Sequence, residues 1–161
     1  KLIATNNIKD LIVVDTKDSL LVSSIDEIGS TRTLMEKIKK QYPKSLEDSL
    51  YEKRPWGSFE TIIKEPGYLV KKITVKPGGK LSVQKHKFRS EHWIVISGIA
   101  EVIRGKEQLT LHKNESTFIP FGEIHSLGNK GKKNLTIIEV QMGSYIGEDD
   151  IERFSDLYGR T

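Results

Sequence analysis

Four side chains in this chain of 161 residues have the types and spacing of a metal or acid–base centre: Gln84, His86, Glu91 and His125. Gln84 and His86 stand at i and i+2 of a predicted strand, so both project to one face. Glu91 opens the next strand, and His125 follows the turn-forming Pro120-Phe121-Gly122 at the head of a later one. Two imidazole nitrogens, a carboxylate and an amide oxygen make a borderline donor set suited to divalent Zn, Fe, Mn, Co or Ni, with positions left for water or substrate. Ordinary strand histidines fit the same spacing, and the residues alone leave both readings open.

A second chemical signal is cationic. Lys71, Lys72, Lys76, Lys80, Lys85, Lys87 and Arg89 fall in one stretch without an acid. Such a stretch could attract a small anion or a nucleic acid, or simply be a solvated strand face. Phe88 is its one interleaved aromatic and no recognition-helix signature accompanies it, so nucleic acid is not expected as a partner. The formal net charge of +4 arises from 26 Lys and Arg against 22 Asp and Glu. The charges of residues 1–50 balance, which puts the whole excess after them. There is no Cys, which removes disulfides, thiolate zinc sites and cysteine nucleophiles together. No run reaches the roughly 18 apolar residues of a membrane span and no signal-peptide pattern opens the chain, so a cytoplasmic protein without membrane contact is expected. The first residue, Lys1, points to an excised or processed piece.

The elements that must position these groups divide near residue 50. Asp10–Asp15 and Ser19–Ser23 read as strand, turn at Thr16-Lys17-Asp18, and strand. A helix is expected over about 30–41 from the spacing of Leu34, Met35 and Ile38, with Thr33 and Glu36 at capping-box spacing and Pro43 ending it. Residues 42–55 show no period and suit a linker. From there on, short β-branched runs separated by Gly, Pro and Asn turns predict a sandwich or barrel, with strands at 58–64, 68–75, 81–87, 91–97, 100–104, 108–112, 116–119, 124–128 and 135–142. A helix is expected from about Glu148, its first turn carrying Asp149 and Asp150.

Gly79, then Gln84, His86, Glu91 and Gly98, resembles the first cupin motif with Gln in place of the first His. Pro120, Gly122, His125 and Asn129 resemble the second. Three stretches narrow this further: Leu81–Trp93, Ile138–Arg153 and Asp156–Arg160 are similar to the type II mannose-6-phosphate isomerase domain, the C-terminal half of bifunctional mannose-1-phosphate guanylyltransferase/mannose-6-phosphate isomerases. Residues 8–40 resemble the last segment of the guanylyltransferase half. The Gly-rich nucleotide loop of that half is absent, so complete guanylyltransferase activity is not expected from these residues. One departure stands out: where the family has three consecutive histidines before the Arg, this chain has His86-Lys87-Phe88.

The resemblance implies a mainly β fold, a cupin jelly-roll barrel over 51–161 with a short α/β N-terminal extension and a C-terminal helix. It implies interconversion of mannose 6-phosphate and fructose 6-phosphate through a cis-enediolate, with a divalent metal on Gln84, His86, Glu91 and His125 polarising the sugar carbonyl. Arg89 is the first choice for the phosphate, since guanidinium clamps phosphate bidentately, with Lys85, Lys87, Arg153 and Arg160 as helpers. Arg153 and Arg160 could instead pair with acids on the expected terminal helix. Glu91 and Glu139 are the candidate bases. His92 alternates away from Glu91 and reads as structural, Trp56 and Trp93 as core or rim aromatics, and His112 as a surface residue. A homodimer is implied as well, with residues 1–50 docking or swapping between chains. Two other readings stay open: a metal-free cupin that dimerises or regulates an upstream nucleotidyltransferase, and a metal cupin acting on another sugar phosphate or nucleotide sugar.

Overall fold

The computed structural model describes residues 2–16, 19–42 and 50–159. The expected turn at Lys17 and Asp18, the helix stop at Pro43, most of the linker and Arg160 therefore lie outside the described residues. The chain divides into two units, residues 1–50 and 51–161.

In the first unit, strands β1 (Leu11–Asp15) and β2 (Leu20–Ser24) form an antiparallel pair, and a three-residue 3-10 turn leads into helix α1 (Thr31–Gln41). The capping box is not formed. The N-cap is Ser30, which places Thr33 and Glu36 inside the helix, and the hydroxyls of Ser30 and Thr31 donate to the carbonyls of Glu27 and Ile28 instead. No described residue of this unit is buried, and Val13, Val14, Val22, Leu34 and Met35 are all exposed.

The second unit holds eleven strands: β3 (Tyr51–Arg54), β4 (Gly57–Glu65), β5 (Tyr68–Val75), β6 (Val83–His86), β7 (Arg89–Ser97), β8 (Ala100–Arg104), β9 (Glu107–Leu111), β10 (Ser116–Ile119), β11 (His125–Gly128), β12 (Leu135–Gly143) and β13 (Ile151–Ser155). They pair as a six-stranded sheet, β10-β7-β12-β5-β4-β3, and a five-stranded sheet, β13-β6-β11-β8-β9. Strict alternation drives them together. Ile73 and Val75 on β5, Trp93 and Val95 on β7, and Leu135 and Ile137 on β12 face Val102 on β8 and Leu127 on β11 in one core. Gly98 turns β7 into β8 with φ at 86°, where a Cβ would also meet the backbone of Leu135 at 2.8 Å.

Two expectations fail here. Residues 51–54 are a strand paired with β4 rather than linker. Among the described residues there is no C-terminal helix: Glu148–Asp150 make a single 3-10 turn, and Ile151–Ser155 run antiparallel to β6. The acids that read as a helix start are a turn, and the alternation of Ile151 and Arg153 with Glu152 and Phe154 completes the edge that β6 would otherwise leave open. Among the described residues no helix is long and apolar enough to cross a membrane.

Candidate metal centre and its cavity

The inward positions that carry the core change character along each strand. On β5 the inward series Leu69, Ile73, Val75 contains Lys71; on β7 Val95 and Trp93 give way to Glu91 and Arg89; on β12 Leu135 and Ile137 give way to Glu139 and Gln141. Register aligns these polar residues across the sheet, Lys71 beside Glu139 and Gln141 beside Glu91. From the opposite sheet, Gln84 and His86 come from β6, and His125, opposite Gln84, opens β11. The turn before it is pinned by the N–H of Gly122, which has φ at 73° and donates to the carbonyl of His86 at 2.8 Å.

His86, Glu91 and His125 are buried, and each offers a ligand atom within 4.8 Å of the others. His86 Nε2 lies 3.1 Å from Glu91 Oε1, and His125 Nε2 lies 3.7 Å from Glu91 Oε2. His125 Nδ1 donates to the carbonyl of Glu123 at 2.8 Å, which leaves Nε2 with its lone pair, buried and without a hydrogen-bond partner, aimed at Glu91. A ring whose far N–H is held by a carbonyl and whose near nitrogen is orphaned is the arrangement of a metal-ligating histidine. Gln84 is held by Ser82, whose hydroxyl donates to Oε1 at 2.8 Å, while Nε2 faces His86 Nε2 at 3.4 Å. A half-turn of that amide would present its oxygen to the centre, and the Ser82 hydroxyl can accept in exchange. The donor set thus fits a borderline divalent cation.

Behind Glu91 stands a second carboxylate, Glu139. The two share donors: Trp93 Nε1–H lies 3.0 Å from Glu91 Oε2 and 3.1 Å from Glu139 Oε1, and the Gln141 amide lies 3.1 Å from Glu91 Oε1 and 2.9 Å from Glu139 Oε2. Their environments push them apart. Burial alone would raise Glu91, but the His86 hydrogen bond and the fields of His125, His86 and Arg89 hold it well below the usual carboxylate range. Glu139 is pushed up to about 8, first by burial and then by the charge of Glu91, against the pull of Lys71 and Arg89. Burial likewise lowers His125, outweighing the opposing influence of Glu91 and the Glu123 carbonyl, which favours the neutral ring a metal needs.

A cavity of about 60 Å³ opens onto Glu91 and Glu139, lined also by Gln84 and Gln141 together with Arg54, Lys71, Arg89 and Arg153. The cations are disposed differently from the expected phosphate set. Lys85 and Lys87 alternate with Gln84 and His86 and so point out of the barrel: Lys85 pairs with Glu152 at 3.1 Å and Lys87 lies over the ring of exposed Phe88. Arg89 is buried, with Nη1 donating to the Gly147 carbonyl at 2.7 Å and Nε 3.5 Å from Glu91. Arg153 lines the cavity from β13, its Nε buried and unpartnered. His92 stacks on Phe118 on the outer face, His112 is exposed, Trp56 lines the cavity, and Asn129 binds the carbonyls of Val75 and Lys133 as a loop anchor. The positions of the two absent histidines, Lys87 and Phe88, are exposed, so the departure from the family run lies away from the cavity.

Lys71, Arg54, Gln141 and Glu148 escape a motif search. Lys71 and Gln141 had one legible signal, a polar residue in the inward parity of an otherwise apolar alternation.

Residues 44–156 match the family model described as mannose-6-phosphate isomerase C-terminal. The chain is 44% identical over 161 residues to the alginate biosynthesis protein AlgA of Pseudomonas putida, covering all of this chain and 33% of that protein. It is 48% identical over 161 residues to the xanthan biosynthesis protein XanB of Xanthomonas campestris pv. campestris, covering all of this chain and 34% of that one. It is 45% identical over 162 residues to the mannose-1-phosphate guanylyltransferase ManC of Salmonella typhimurium, covering 99% of this chain and 33% of the relative. The chain thus spans about a third of the length of these curated relatives. Among solved structures, a Klebsiella pneumoniae protein with a double-stranded beta-helix domain aligns with TM-score 0.54 at 19% identity over 60% of this chain and 83% of its own. The Schizosaccharomyces pombe Cnp3 cupin domain aligns with TM-score 0.52 at 18% identity over 60% and 66%. At those identities the likeness establishes the cupin fold.

Proposed function

The chain belongs to the mannose-6-phosphate isomerase C-terminal family, and on that premise we propose that its barrel interconverts mannose 6-phosphate and fructose 6-phosphate in a metal-dependent aldose–ketose isomerisation, as part of a longer enzyme that also carries mannose-1-phosphate guanylyltransferase activity. The observation that carries the reading is a buried His86, Glu91, His125 ligand set beside a second carboxylate of opposite titration behaviour, with Glu91 and Glu139 both lining one cation-rich cavity.

His86, Glu91 and His125, joined by Gln84, would hold the metal. A divalent cation held there would supply Lewis acidity to the substrate and offset part of the Glu91 charge that, after burial, raises Glu139. Arg89 anchors Glu91 and the Gly147 carbonyl, fixing the carboxylate and the cavity wall. Trp93 and Gln141 orient both carboxylates. Glu139, once ionised, takes the C2 proton and returns it at C1, while the hydroxyl proton passes from O2 to O1. Its place in the cavity wall, its burial and its raised proton affinity suit a group that must hold a proton away from water. Glu91 is thereby assigned to the metal rather than to the proton. The exposed Ile94, Ile96 and Phe118 on the outer face of the six-stranded sheet support the homodimer as part of this reading, and light scattering measures it.

The test is elemental analysis of the purified chain beside a coupled assay for mannose 6-phosphate conversion, repeated on His125→Ala. Stoichiometric metal and turnover, both lost in the variant, are expected. A metal-free protein inert after addition of Zn, Co or Mn would sink the reading and leave a barrel that serves assembly or regulation.

A further inference from the structure

Lys71 is an anomaly of the apolar alternation on β5. It is 7% exposed, it points into the barrel between Leu69 and Ile73, and an apolar residue would satisfy the core there at lower cost. Its partner does not come from the sheets. Glu148 Oε1 accepts from Lys71 Nζ at 2.8 Å, and Glu148 belongs to the three-residue turn between β12 and β13, its side chain 53% exposed. One member of the pair is fixed in the barrel, and the other is on a short strap that water reaches. Arg54 and Arg89 also act on the Glu148 carboxylate, and Arg54 and Lys71 both lie against the ring of Phe59, at 5.4 and 4.4 Å. Arg54 is also paired with Glu52 at 2.6 Å, whereas Arg153 Nε is buried and unpartnered, so this cavity wall keeps N–H donor capacity that the Glu148 carboxylate does not take up.

We infer that Lys71, Arg54 and Arg153 form the subsite for a phosphomonoester dianion, and that Glu148 occupies it in the free protein as a carboxylate stand-in which the incoming phosphate displaces. The inference rests on the sugar-phosphate reading above and places the phosphate at the β5 side of the cavity rather than on Arg89, Lys85 or Lys87. Geometry supports that placement. Lys71 and Glu91 lie two strands apart and one inward position out of line, so their Cα atoms are roughly 12 Å apart by sheet spacing. With side chains reaching in from both ends, an extended six-carbon sugar phosphate can touch both. The phosphate offers two charges and three acceptor oxygens where Glu148 offers one charge and two.

Calorimetric titration of inorganic phosphate into the full chain, metal-free and metal-loaded, tests this directly. Glu148→Gln is expected to bind phosphate about tenfold more tightly than the parent and to lower the KM for mannose 6-phosphate more than it alters kcat. Lys71→Met is expected to weaken phosphate at least tenfold with metal stoichiometry unchanged. Should that variant unfold, Arg54→Gln reports in its place with a several-fold loss. Phosphate affinity that is unchanged or weaker in Glu148→Gln overturns the subsite. A protein that binds phosphate in the expected order yet never isomerises the sugar overturns the isomerase reading alone, whereas turnover with phosphate affinity indifferent to Glu148 overturns this inference alone.

Discussion

Strand β12 runs from Leu135 and Ile137, buried among apolar side chains, to Glu139 and Gln141, equally buried but bound to a carboxylate and an indole N–H; β7 repeats the passage from Val95 and Trp93 to Glu91 and Arg89. The same strands therefore build two interiors. At one end the driving force is apolar area removed from water, which is non-directional and tolerant of shape-conserving change. At the other, each buried charge or polar group stands because named partners compensate it, and several atoms, among them His125 Nε2 and Gln141 Oε1, remain uncompensated. A fold seeking only stability would continue the apolar pattern. The polar end is maintained at a cost in stability, and that cost marks where the chemistry is.

The comparison breaks most sharply if a change at the polar end acts like one at the apolar end. Glu91→Gln is expected to lower metal affinity by more than about a hundredfold, beyond what loss of an outer partner of a ligand does. Its metal-free form should melt lower as well, because the folded protein favours the ionised Glu91 and the variant leaves buried Arg89 without that carboxylate. Metal titration and thermal unfolding of the same sample decide it. Ile137→Ala should lose stability alone, costing about 2–5 kcal/mol by denaturant unfolding while binding metal stoichiometrically at low temperature.

A subtler contrast lies in pH. Glu139 has its proton affinity raised from an ordinary value of 4.5 to about 8, so the folded metal-free protein binds this proton more tightly than the unfolded chain does. The stability it contributes is fully present below pH 4.5 and is lost as pH rises through 8. Denaturant unfolding across that window should show a decline that Glu139→Gln flattens, and an unchanged slope in the variant would place the proton elsewhere. Smallest of all, Lys85→Ala and Lys87→Ala should change the KM for mannose 6-phosphate by less than about twofold, since both side chains lie on the outer face.

How much of this was legible follows the same division. The apolar end could be read because alternation of Val, Ile and Leu reports its own burial, and nine strands of the barrel are found within a few residues of where it places them. The metal-type triad was legible because His86, Glu91 and His125 sit in a recognisable motif. Lys85 and Lys87 were misplaced although parity alone excludes them: residues flanking two inward side chains must face out. Arg153 became a cavity residue only with β13. Its acidic prelude, Glu148–Asp150, satisfies helix-start and turn rules alike, and only the unpaired edge of β6 decides between them. Glu148 itself carries no sequence signal, because its role depends on Lys71, 77 residues away.

The pairing of β13 with β6 reaches into the life of the chain before it is folded. Arg153 lies opposite Gln84 and Ile151 opposite His86, so one wall of the cavity waits for a segment far along the chain from β6. The β6 and β11 strands that carry the imidazoles are translated well before it, and until β13 arrives, β6 presents a bare hydrogen-bonding edge beside buried-type polar groups exposed to water. Contacts of such sequence separation close slowly, on the millisecond to second scale typical of β barrels. The nascent domain thus passes through a stage in which its ligand residues are present but unwalled, when an ion or a foreign strand could engage them, and completion of the cavity coincides with protection of that edge.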